Sequence, residues 1–114
     1  PGGVMSEQRK QQRKQIATRL PVIDVNTGHV VGDLANLSTE GFMVLARAPL
    51  STGSVFQLSA ALPKVMRSVD TLYFGAECLW CNAADSPGHF WIGFHLIDIS
   101  PQDQEVLALF LESV

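Results

Sequence analysis

With 114 residues, 46% of them apolar and 17% charged, the chain can bury one hydrophobic core and is too apolar to be disordered. The net charge of −3 is split unevenly, because residues 7–19 carry +4 and residues 20–114 carry −7. No apolar run approaches the ~18 residues of a spanning helix, no secretory pattern precedes the polar N-terminus, and an acidic body excludes the broad basic face of a general nucleic-acid binder. These observations imply a cytoplasmic domain without membrane insertion or DNA or RNA binding. Its two cysteines are then expected as free thiols.

Pro1-Gly2-Gly3-Val4 ahead of Met5 reads as a cloning remnant, so residues 1–5 are expected to lack structure and are set aside. Residues 6–15 are almost wholly polar and read as a flexible basic arm. Arg9, Lys10, Arg13, Lys14 and Arg19 supply five of the eight basic residues. Arg9 and Arg13 are four apart, which places them on one side of a helix or extended chain. Two such guanidiniums can grip phosphates bidentately and stack on base faces, and Lys10 and Lys14 add diffuse attraction.

Residues 16–114 then read as one folded body. Ile16–Val25 is strand-like, with Pro21 favouring an edge or a kink. Asn26-Thr27-Gly28 marks a hairpin turn into a second strand from about His29 to Ala35. Asn36-Leu37-Ser38-Thr39-Glu40 is a polar turn, and Gly41–Ala46 follows as a third strand. Ala48–Gly53 connects to Val55–Leu62, which Pro63 is expected to close. Val69–Cys81 has Leu72, Phe74, Ala76, Cys78 and Trp80 at period two, the strongest strand pattern in the chain. A loop over Asn82–Gly88 returns Phe90–Ile97 as the last strand. The period then changes. Ser100 caps a helix with Pro101 at its first position, and Val106, Leu107, Leu109 and Phe110 form its apolar face. The fold implied is all-β: a six-stranded antiparallel barrel, closed to remove exposed edges, with a C-terminal α-helix.

Three candidate chemistries follow. In the turn, Asn36 can read a base edge, Ser38 can donate to a phosphate, and Gly41 allows a ligand to approach the backbone. Cys78-x-x-Cys81 with His89 and His95 superficially suggests zinc. However, the seven residues between the pairs do not match a zinc framework, and positions i and i+3 of a strand face opposite sides. No metal site is therefore expected, and Cys78 is assigned to the core on the face shared with Trp80. Ser38 lacks a nucleophile elbow, His95 reads as a partly buried structural residue, and no catalytic residues are expected.

Taken together, Arg9-x-x-x-Arg13 and Asn36-x-Ser38-x-x-Gly41, separated by a two-strand hairpin, resemble the signature of the PilZ domain family. Phe42-Met43-Val44, Leu50–Ser54, Trp80 and Gly93-Phe94 extend the resemblance to roughly residues 7–111. PilZ domains are bacterial receptors for the second messenger cyclic di-GMP, so the resemblance implies a six-stranded split barrel and a non-enzymatic receptor with no cofactor besides that ligand. It also implies that Arg9 and Arg13 hold phosphates and guanine, that Asn36 contacts a guanine edge, and that Ser38 and Gly41 line the same site. Ordering of the arm would then signal to a partner protein. The alternative is a PilZ-like protein-interaction module that binds no nucleotide. Asn36 stands where family members also carry Asp, which replaces a charged acceptor by a neutral amide.

Overall fold

Alternating side chains build a ring of antiparallel strands. The computed structural model describes residues 13–114, so Arg9, Lys10, the expected remnant at 1–5 and all but the last three residues of the expected arm lie outside the described residues. The elements in order are β1 (Lys14–Gln15), β2 (Pro21–Asp24), β3 (Val30–Leu37), β4 (Gly41–Ala46), β5 (Val55–Met66), β6 (Val69–Ala83), β7 (Phe90–Ile99) and α1 (Pro101–Ser113). Strand pairing runs β3-β2-β5-β6-β7-β4 and returns from β4 to β3, which closes a six-stranded antiparallel barrel. The two-residue β1 adds to β3 through Lys14↔Leu37 and Gln15↔Asn36.

The core is filled from every wall. Phe42 stacks on Phe94 at 4.9 Å between ring centroids and meets Phe74 edge-on at 5.4 Å. Aromatic pairs of this kind contribute roughly 0.5–1.5 kcal/mol beyond their buried area. Val106, Leu107 and Phe110 bury the apolar face of α1 against the barrel. The helix begins as its sequence implies, with the Ser100 hydroxyl accepting from the Asp103 amide at 3.1 Å. Asp103 in turn accepts from the Tyr73 backbone amide on β6, which ties the first turn of the helix to the sheet.

Several local expectations need correction. The strand expected over Ile16–Val25 is broken into β1 and β2, because residues 16–20 leave the ladder while still bonding β3 through Ile16 N to Ala35 O and Leu34 N to Leu20 O. Pro63 does not end its strand: β5 continues to Met66 and turns through Arg67 and Ser68, both at positive φ. The register shifts between Ala61 and Met66, so the missing Pro63 N–H falls where no ladder bond is required. Asn36 lies within β3 rather than in the turn, which shortens to Ser38-Thr39-Glu40. Finally, Cys78 is fully buried while Trp80 is exposed, and His95 is exposed rather than partly buried. A register shift between Cys78 and Trp80 reverses the inward–outward alternation at that point, so the strand-parity argument applied to Cys78 and Cys81 also fails. Cys81 is partly buried and packs against the core. Both thiols are free, and burial pushes the Cys78 thiol up from its ordinary value, with neighbouring Cys81 adding to the effect.

Candidate functional site

Two bulges create the site. In β3 the register shifts between Leu34 and Asn36, so Leu37 joins the core and Asn36 turns to the outer surface. In β6 the shift between Cys78 and Trp80 sets Trp80 opposite Gly93. The result is one row across four strands: Asn36 pairs with Met43, Met43 with Gly93, and Gly93 with Trp80. All four residues line an open cleft of about 200 Å³, with Arg13 at its β1 end and Leu79 beside Trp80.

Each side chain of this row has a physical reason for its place. Gly93 is required because a Cβ there would overlap the Trp80 indole, so the ring packs directly against the glycine. Trp80 therefore keeps a wall of the cleft while 38% exposed, an exposed aromatic face of the kind on which a planar ring stacks. Across the cleft, Arg13 donates from Nη1 to Asn36 Oδ1 at 3.1 Å. Asn36 is itself buried at 8% exposure, so its side chain is held in place.

The turn beyond Asn36 is built by Ser38. Its hydroxyl accepts from the amides of Glu40 and Gly41 and donates to the Gly41 carbonyl, each at 3.2 Å, and the Ser38 amide donates to the same carbonyl at 2.9 Å. At 2% exposure, its single proton is committed within its own turn. Gly41 is required for a different reason: a Cβ would strike the backbone carbonyl of Phe94 on β7, so no side chain fits without moving the sheet. Ser38 and Gly41 line a second cleft of about 230 Å³ together with Arg13, Glu40 and His95. Arg13 and Leu79 line both clefts.

Of the residues singled out in the sequence, Arg13, Asn36, Ser38 and Gly41 thus converge around one guanidinium. Lys14 lines neither cleft and instead pairs with Leu37 in the β1–β3 ladder. Arg9 and Lys10 lie outside the described residues. Trp80, Met43, Gly93, Leu79 and His95 enter from the structure. For Trp80 the available signal was an aromatic facing a glycine at a strand end, but its pairing with Gly93 depends on a bulge that residue spacing does not reveal. Among the described residues no group of three or more His, Cys, Asp or Glu is placed to hold a metal ion.

Known proteins give the same architecture. The chain superimposes on the Bacillus subtilis inhibitor of motility MotI/DgrA with a TM-score of 0.72 at 18% identity, covering 92% of this chain and 49% of that one. It matches the PilZ domain of Escherichia coli YcgR, solved with c-di-GMP, at a TM-score of 0.67 and 16% identity, over 92% of this chain and 89% of that one. The E. coli YcgR structure in complex with c-di-GMP gives 0.70 and 18%, over 92% and 45%. The chain therefore spans about half the length of MotI and of the longer YcgR chain. No curated protein sequence matches it. The PilZ domain family model matches residues 7–113, a span that takes in both arginines, the bulged row and the C-terminal helix, and the chain belongs to the PilZ domain family.

Proposed function

We propose that this domain is a non-enzymatic receptor for cyclic di-GMP, which binds across the outer face of β3, β4, β7 and β6. The observation that carries the reading is the Arg13–Asn36 pair facing the Trp80 indole over Gly93. That geometry joins a phosphate-gripping cation, a base-edge hydrogen-bonding group and a stacking surface within one cleft. The YcgR structures that resemble this chain hold c-di-GMP, which supports the same ligand here.

In this reading Arg13 holds a phosphate or a guanine, Trp80 stacks on a base, and Asn36 meets a base edge. Ser38 and Gly41 act mainly by shaping the turn that fixes Asn36 and admits the ligand. Arg9, with Lys10 and Lys14, brings further positive charge as residues 6–15 close over the ligand, and the surface so formed signals to a partner protein. A domain without a spanning helix among its described residues suits a receptor working in the cytoplasm.

Titration calorimetry tests the proposal. Cyclic di-GMP is expected to bind wild-type protein at micromolar concentration, and Arg13→Ala to abolish the heat with little change in apo melting temperature, since Arg13 is exposed and makes one side-chain hydrogen bond among the described residues. A folded wild-type protein that gives no heat would instead favour an interaction module that binds no nucleotide.

A further inference from the structure

We infer that a third cleft, beside the end of β4, docks an acidic segment of a partner protein that carries an aliphatic side chain. The cleft encloses about 410 Å³ and shares no lining residue with the two clefts around Arg13, so the inference stands apart from the cyclic di-GMP reading. Its walls follow from the strand ladder. Ala46 pairs with Phe90 at the end of the β4–β7 ladder, which sets Arg47 and His89 opposite each other one step beyond it. Both line the cleft, and Arg19, from the segment before β2, closes another side. Val31 and Leu45 supply an apolar wall between them. Gly32 lets β3 approach β4 here, since a Cβ would come within 2.7 Å of the Leu45 carbonyl oxygen.

Charge decides what this cleft can take. Residues 20–114 carry −7 and contain three basic residues, Arg47, Lys64 and Arg67. Arg67 is paired with Glu105 at 3.2 Å, whereas Arg47 forms no ion pair among the described residues. Arg19 meets Asp33 at 3.4 Å through Nε, which leaves the two terminal nitrogens of its guanidinium to donate elsewhere. These side chains are 77% and 43% exposed, so the pair is weak and Arg19 can exchange Asp33 for a partner's carboxylate at little cost. Two guanidiniums flanking an apolar wall, on an otherwise acidic body, match acidic residues on either side of an aliphatic one. Val30 at the edge of the cleft is 56% exposed, and a docked segment would cover it. A free phosphate would satisfy the guanidiniums but leave the valines and Leu45 uncovered. Residues 1–12 of this chain carry Glu7 against Arg9 and Lys10, the wrong sign to fill the cleft.

The test is a titration of the isotope-labelled wild-type chain with a short blocked peptide of glutamates around two central leucines, followed by backbone amide chemical shifts at neutral pH. Saturable shifts are expected at Val31, Gly32, Asp33, Arg47 and His89. Arg47→Glu, at an exposed position, is expected to weaken docking by at least about tenfold while cyclic di-GMP binding stays within about threefold. Serines in place of the leucines are expected to weaken docking about tenfold, and inorganic phosphate to bind at least about tenfold more weakly than the peptide. Lysines in place of the glutamates are expected to abolish the shifts. No saturable shifts at these amides, docking indifferent to Arg47→Glu, or equal binding of the serine peptide, the lysine peptide or phosphate overturns the inference and leaves the receptor reading standing. So does movement of the same amides on raising the protein concentration without peptide, which would assign the cleft to a second copy of this chain.

Discussion

Ser38 shows how much of a site can rest on one hydroxyl. It accepts from two backbone amides and donates to one carbonyl inside a three-residue turn, at 2% exposure. Removing the oxygen leaves the Glu40 and Gly41 amides without that acceptor, at roughly 1–3 kcal/mol for a buried unsatisfied group. Ser38→Ala is accordingly expected to lower unfolding stability in urea by about 1–3 kcal/mol and to weaken ligand binding through the loosened turn. Unchanged stability with lost binding would instead assign the hydroxyl directly to the ligand. The turn was recognisable in the sequence from its short polar residues and the glycine after it, and it gained meaning as a site only beside Arg9 and Arg13. The division of labour among its residues was not recognisable, because whether a serine faces its own backbone or a ligand depends on three-dimensional hydrogen bonding.

At the scale of strands, two glycines make the contrast that best separates folding from binding. Both sit where strands or rings approach too closely for a Cβ, but the obstructing groups differ. At Gly41 the obstacle is the Phe94 backbone carbonyl, and at Gly93 it is the indole of the exposed Trp80 side chain. Gly41→Ala must shift β4 against β7, so an overpacking cost of about 1–3 kcal/mol is expected. Gly93→Ala can be relieved by swinging the indole outward, so its stability loss is expected to be the smaller and its binding loss the larger. Thermal melts and a ligand titration on both variants decide this, and the reverse ranking would contradict the account. The same scale marks where sequence reading stopped. The alternation of Leu72, Phe74, Ala76 and Cys78 identified β6, and the Ser100-Pro101 start identified α1. The bulges at Ala35 and beside Leu79 and the passage of β5 through Pro63 were hidden, because one inserted residue reverses every subsequent side-chain direction without changing local composition. Trp80 was therefore assigned inward when it faces the cleft.

For the whole molecule, the charge split gains a spatial meaning. The last basic residues of the arm, Arg13 and Lys14, reach an otherwise acidic barrel by adding β1 to β3, and β1 ends beside the bulged row. Closing the barrel covers the strand edges, so the face of β3, β4, β7 and β6 is free to serve as a binding surface. The central claim is that cyclic di-GMP occupies the cleft between Arg13 and Trp80, and indole fluorescence reads that position. In Trp91→Phe protein, where Trp80 is the remaining tryptophan, saturable quenching by cyclic di-GMP is expected, with the midpoint found calorimetrically and no quenching in the same protein carrying Arg13→Ala. Calorimetric binding that leaves Trp80 emission unchanged in intensity and wavelength would contradict it.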